Sequence, residues 1–222
     1  MEEKEKYCVF FDLDGTLTSI NSGYALFRTA YSKGLVDKSG ILKAIMLSAL
    51  HKYHLTDAGN LIKAMGKWVK GTDQSVFARI AEESVEKYLL DSVYPDARNE
   101  ISYHRSHNAT LVLLSSAVEE ICKPIACHIG IDHYICTSME SSGGTLTGLP
   151  NGAYCYGNEK RRQMEDFLAM NGSLPSAAFY YADSISDLPV LERVGNPVCI
   201  NPEKKLLRAA GKAGWPVRQW KN

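Results

Sequence analysis

Five short runs of apolar, β-favouring residues constrain this chain more than any other feature: Tyr7–Phe11, Thr110–Leu114, His133–Thr137, Ala177–Ala182 and Pro197–Ile200. Several are almost continuously apolar. A strand with one wet face alternates, whereas a strand covered on both faces does not, and the second pattern marks a parallel sheet buried between helices. Helical stretches stand between the runs, over Ala97–His107, Glu119–Ile129, Glu159–Met170, Asp187–Val194 and Glu203–Ala213. Strands alternating with helices imply an α/β fold: a doubly wound parallel sheet with a Rossmann-like core. Pro124 is expected to start a second helix, since proline disrupts a helix interior.

The stretch 19–93 breaks the alternation. Its pattern is helical, over Gly23–Ser32, Lys38–Tyr53, Ala58–Val69 and Ser75–Leu90, with Gly34, Gly71 and Thr56-Asp57 as breaks and a cap. The expected organisation is an α/β core of residues 1–18 and 94–222, with 19–93 inserted as a helical cap that closes over a site. Gly143-Gly144-Thr145-Leu146-Thr147-Gly148 and Gly152–Tyr156 predict a small β-excursion with tight turns. Trp215-Pro216-Val217 is expected to cover a sheet edge.

Lys+Arg and Asp+Glu balance at 25 each, so no global field draws in nucleic acid or an anionic membrane. No run reaches the roughly 18 uncharged apolar residues that span a bilayer, so no stable membrane insertion is expected. No cleavable leader is expected at the start of the chain. The six cysteines are scattered without a CxxC pair, which suits free thiols in a reducing cytoplasm.

Chemistry concentrates where the apolar runs end. Val9-Phe10-Phe11 runs into Asp12-Leu13-Asp14-Gly15-Thr16. Ligands of open α/β sheets bind at the carboxyl ends of strands, and Gly15 lets the backbone turn there so that the two acids take different roles. The second run ends in Ser115-Ser116, which offers a hydroxyl and backbone donors to a phosphate oxygen. Lys160 opens a predicted helix, where an ammonium can neutralise a phosphoryl oxygen and an aspartate together. The fourth run ends in Asp183-Ser184-Ile185-Ser186-Asp187. Hard carboxylates at that place suit Mg²⁺. Taken singly, Asp12 to Gly15 reads equally well as a turn, and Lys160 as a solvated surface lysine.

Together and in this order, Asp12-x-Asp14-Gly15-Thr16, Ser115, Lys160 and Asp183-x3-Asp187 resemble the four motifs of the haloacid dehalogenase superfamily. The helical insertion after the first strand looks like the cap of its phosphoserine-phosphatase-like branch. Two positions depart from the usual pattern: Ser115-Ser116-Ala117 where Ser-Ala-Ser is common, and Ala182-Asp183 where Gly-Asp is common. The resemblance implies a phosphatase acting on a small-molecule phosphate ester. Asp12 would be the nucleophile that becomes an aspartyl-phosphate, and Asp14 the general acid and base. Mg²⁺ would be held by Asp12, the Asp14 carbonyl and Asp183. Thr16, Ser115, Ser116 and Lys160 would grip the phosphoryl group, and Asp187 would orient Lys160 or a metal-bound water. Phosphoserine phosphatases of this kind carry a glutamate for the substrate ammonium seven residues after the second aspartate. Here that position is Asn21, so L-phosphoserine is not the expected substrate.

Other readings compete. Ile41–Leu50 is apolar nearly all round, which suggests cap core or, alternatively, a phosphatase of phospholipid head groups. A catalytically silent binding module of the same fold is a further alternative. His51 and His54, His104 and His107, and Cys122-x4-Cys127-His128 have spacings that can bind zinc, but each lacks a third ligand nearby and is read as packing or solvated surface.

Overall fold

The computed structural model describes residues 7–35, 66 and 68–221. Among them, eight strands run in chain order: β1 (Cys8–Phe11), β2 (Thr110–Val118), β3 (His133–Thr137), β4 (Met139–Ser142), β5 (Thr145–Pro150), β6 (Phe179–Ala182), β7 (Asn196–Ile200) and β8 (Val217–Arg218). Six form one parallel sheet in the order β3-β2-β1-β6-β7-β8, and β4 and β5 form a separate antiparallel hairpin. β8 is the edge strand supplied by the tail.

Alternate residues of each strand feed two cores, as a pleated strand requires. Val9, Phe11, Leu111, Leu113 and Tyr181 pack on one face, with α3 (Pro95–Ser106) and α4 (Glu119–Ile129). Cys8, Phe10, Val112, Leu114, Tyr180 and Ala182 pack on the other, with α5 (Gly157–Met170), α6 (Leu188–Leu191) and α7 (Lys204–Ala213). The sheet is therefore doubly wound, and the order in which its strands are added switches sides at β1, which lies between β2 and β6.

Between β1 and β2 the described elements are helical. They include α1 (Ser22–Ser32) and α2 (Gln74–Ser84), which precede α3; the second is capped by Asp73, which accepts from the Ser75 and Val76 amides. The chain leaves and re-enters at neighbouring points: Ser19 N donates to Ser92 O, and Tyr94 N to Leu17 O. The β4–β5 hairpin is tied to the segment that leads into α2 by Gly71 N to Leu146 O, Leu146 N to Thr72 O and Gln74 N to Gly144 O. The predicted helix Lys38–Tyr53, most of Ala58–Val69, the apolar run Ile41–Leu50, the Thr56-Asp57 cap, and His51 and His54 lie outside the described residues.

Three expectations are corrected. Pro124 sits inside one continuous helix, α4. Proline in a helix costs about 3 kcal/mol. Ile121, Cys122, Ile125, Ala126 and Ile129 bury an unbroken stripe through it, and each large apolar side chain is worth roughly 1.5–3 kcal/mol, so packing wins. The helix predicted over Ser75–Leu90 changes pitch: α2 gives way to a π-helical turn at Val85–Leu89 and a 3-10 turn at Leu90–Ser92. Finally, β2 continues beyond Leu114 through Ser115, Ser116 and Ala117, with its register against β3 shifting between Leu114 and Val118.

Candidate active site

The carboxyl ends of β1, β2 and β6 converge on one cluster of acids. Asp12 follows β1 directly and is anchored by its amide, which donates to Tyr181 O at 3.0 Å. Asp183 follows β6, and Asp187 closes the short turn Ile185–Asp187. Carboxylate oxygens of Asp12, Asp183 and Asp187 lie within 4.8 Å of one another. Lys160, four residues into α5, is 1% exposed, which for an ammonium demands partners. It donates to Asp12 Oδ1 at 2.7 Å and Asp187 Oδ1 at 2.6 Å. Tyr180 also donates to Asp187 Oδ1, at 2.6 Å.

Asp14 is held separately. Its Oδ1 accepts from the Ser22 amide at 2.6 Å, and its Oδ2 from the Ser22 hydroxyl at 2.8 Å and Asn21 Nδ2 at 3.1 Å. Asn21 also caps α1, accepting from Tyr24 N at 3.0 Å. Its amide is thus engaged with a helix end and an acid. Gly15 is required for the turn directly after Asp14. It has φ +80°, and a Cβ there would stand 2.3 Å from Asp183 Oδ2.

Thr16 is fully buried, and its hydroxyl is a buried polar atom without a hydrogen-bond partner. Ser115 is buried in the irregular stretch of β2, where bulges commonly re-aim side chains beside active sites, and its hydroxyl accepts from Ala117 N at 3.2 Å. Ser116 faces outward, and its carbonyl accepts from Thr137. Of the zinc-spaced histidines, His104 is buried and bonded to Tyr7 and Tyr181. All six cysteines are free.

The charges are unbalanced. Burial pushes Asp12 up to about 7, against the pull of Lys160 and with a further push from Asp187. Burial and the neighbouring Asp12, Asp187 and Asp14 raise Asp183 well above the carboxylate range. Burial raises Asp14 too, against the bonds from Ser22. Burial disfavours the Lys160 cation, but Asp12 and Asp187 outweigh it and hold the ammonium above its ordinary value. Three carboxylates around a single ammonium, with an oxygen-only donor set, fit a hard divalent cation.

Ser22 and Tyr180 escape sequence reasoning. Each is a hydroxyl on an ordinary helix start or strand, and its target lies several residues away along the chain. The only local hint is Asn21-Ser22 as a helix-start pair.

A family model described as haloacid dehalogenase-like hydrolase matches residues 9–192. A probable phosphatase of Mycobacterium tuberculosis is 29% identical over 217 residues, covering 96% of this chain and 75% of that protein. A histidinol-phosphatase of Neisseria meningitidis is 28% identical over 236 residues, covering 97% of this chain and 100% of that protein. A solved phosphoserine phosphatase, in a form analogous to its phospho-aspartyl intermediate, matches with a TM-score of 0.73 at 14% identity, over 96% of this chain and 93% of that one. At that identity the likeness is one of fold.

Proposed function

The chain belongs to the haloacid dehalogenase-like hydrolase family, with the fold of its phosphoserine-phosphatase-like branch, and is a phosphatase; from that premise we propose that it hydrolyses a small organic phosphomonoester through an aspartyl-phosphate on Asp12, with Mg²⁺ as cofactor. The observation that supports this most is the buried lysine bridging Asp12 and Asp187 beside Asp183, with Asp14 held apart by Ser22.

In this reading Asp12 attacks phosphorus while the ester P–O bond breaks, and Asp14 gives its proton to the departing alcohol oxygen. Burial favours the protonated Asp14 that this step needs. Asp14 then takes a proton from water, the water oxygen bonds to phosphorus, and the bond to Asp12 breaks to release inorganic phosphate. Thr16, Ser115, Ser116 and Lys160 hold the phosphoryl oxygens. The unpartnered Thr16 hydroxyl and the Lys160 ammonium are the donors best prepared for that. Mg²⁺ would be held by Asp12, the Asp14 carbonyl and Asp183, with Asp187 near enough to join them. Bound there, it screens an anionic nucleophile from an anionic phosphate.

Residues 19–93 serve as the cap over a core of 1–18 and 94–222. L-phosphoserine is not the preferred substrate, because Asn21 supplies no carboxylate for an ammonium and its amide serves Asp14 and α1. A reducing cytoplasm suits the free thiols. The test is hydrolysis of 4-nitrophenyl phosphate by purified protein. Turnover should need Mg²⁺ and stop with excess chelator. Asp12→Asn should lose on the order of 10³-fold or more in kcat with the fold kept. Residual activity within tenfold of the parent would refute the covalent mechanism.

A further inference from the structure

The balanced charge of the chain, 25 basic and 25 acidic side chains, hides a local excess on α7. Leu206 and Ala210 turn one side of this helix into the core. On its outward side Lys204, Arg208 and Lys212 recur at every fourth position, so they stand in one row, with Lys205 beside it. All four are exposed, and among the described residues none of them meets an acid. Arg218, which follows on β8, is by contrast paired with Glu100.

The arrangement works against the helix. The amino end of a helix is the positive end of its dipole, where acids help and cations cost. No acid stands in the first turn of α7, which opens on Lys204-Lys205. Glu203, the acid next to them, is engaged elsewhere: its carboxylate accepts from Ile185 N at 2.9 Å. Like charges four apart on one face also repel. A local choice that costs the fold without a compensating contact marks a function. The same end of α7 adjoins the acid cluster, since Glu203 N donates to Asp183 O at 2.9 Å.

We propose that the outward face of α7 is a docking surface for an anionic lipid bilayer, which it binds reversibly and without inserting any segment. The row from Lys204 to Lys212 is about 12 Å long, so its partner presents negative charge over at least that distance, as one acidic side chain does not. Leu207 borders the row, three residues beyond Lys204, and is 47% exposed. Val217, three residues past the Gly214 that ends α7, is exposed as well. Apolar side chains beside a basic row suit the boundary between head groups and acyl chains, where leucine and the stems of lysines leave water together. The phosphate backbone of a nucleic acid offers Leu207 nothing.

The experiment is co-sedimentation of the full chain with vesicles of phosphatidylcholine, alone or with about 30% phosphatidylglycerol. The anionic vesicles should bind about 100-fold more tightly at roughly 0.1 M salt, and most of that difference should vanish near about 0.5 M. A cation at an anionic surface strengthens binding about fivefold. Arg208→Gln with Lys212→Gln should therefore weaken anionic binding about 25-fold, and so should Lys204→Gln with Lys205→Gln. The second pair should also melt at or above the parent's temperature, because it relieves the start of α7. Leu207→Gln should weaken vesicle binding roughly threefold to tenfold. Equal binding to both kinds of vesicle, or anionic binding unmoved by both paired variants, would overturn the proposal. So would a DNA duplex that binds more tightly than the anionic vesicles and is indifferent to Leu207→Gln, since the row would then belong to nucleic acid.

Discussion

Asp14 shows most clearly how one residue's role depends on its neighbours. Asp12 and Asp14 are two apart, but the chain turns at Gly15 and sends them to different partners: Lys160 for one, Ser22 for the other. The Ser22 bonds fix the orientation of the Asp14 carboxyl, while the Asn21 contact lies on the exposed side. Ser22→Ala should therefore lower kcat about tenfold with little loss of stability, through a mis-aimed Asp14. Asn21→Ala should do the reverse, costing roughly 0.5–2 kcal/mol through the lost cap and less than threefold in kcat. Paired kinetics and urea melts decide it, and an unchanged kcat in Ser22→Ala would remove Ser22 from the positioning of Asp14. The acids are legible in the sequence only as an ordered set at the ends of apolar runs, because any one of them alone reads as well as a turn. Ser22 and Tyr180 are not legible, because a hydroxyl suits a helix start or a buried strand without any site. Asn21 is legible as a neutral residue at a notable spacing, but only the path of the chain shows that its amide is already occupied.

At the level of elements, the strands read easily because burial on both faces leaves a continuous apolar run. Strand β2 reads short, because Ser115-Ser116-Ala117 carries no apolar signal although the backbone stays extended through it. The β4–β5 hairpin announces itself through Gly143-Gly144, both at positive φ. Helix α4 misleads at Pro124, since local chemistry argues for a break and the stripe from Ile121 to Ile129 overrides it. That conflict is testable. Pro124→Ala restores an N–H that can bond the Glu120 carbonyl and removes the ring. The gain of up to about 3 kcal/mol is offset by the added freedom of the unfolded chain, about 0.4–1 kcal/mol. The variant should be more stable by roughly 1–2 kcal/mol in urea unfolding. Equal or lower stability would mean that α4 accommodates the proline without cost.

Across the whole molecule, a polar chain centred on buried His104, on the side of the sheet away from the Lys160 cluster, joins elements far apart in sequence. Tyr7 lies 3.0 Å from His104 Nδ1, His104 Nε2 lies 2.8 Å from the Tyr181 hydroxyl, and that hydroxyl donates to Glu100 Oε1 at 2.6 Å. Arg218 of the edge strand β8 donates to the same oxygen at 2.9 Å. If Tyr181 donates to Glu100, its oxygen accepts from His104 Nε2–H, and Nδ1 is left to accept from Tyr7. One proton arrangement thus satisfies the entry to β1, α3, β6 and β8 together. His104, Tyr181 and Arg218 hold the Glu100 carboxyl down to about 2 from an ordinary 4.5, against the effect of burial. A depressed acid stabilises the fold above its unfolded value, and that contribution fades as pH falls through the folded value. The window is therefore pH 4.5 down to about 2. With the Glu100 side chain 20% exposed, the contribution at neutral pH is roughly 1–3 kcal/mol. Glu100→Gln keeps the shape and removes the charge. It should be less stable than the parent by about that amount at pH 7, and the gap should close as the pH is lowered from 4.5 towards 2. Urea unfolding of both proteins at pH 7, 5, 4 and 3 measures this. A gap that stays constant across the series would show that Glu100 contributes through shape and neutral hydrogen bonds, and that its charge does not hold the tail strand to the sheet.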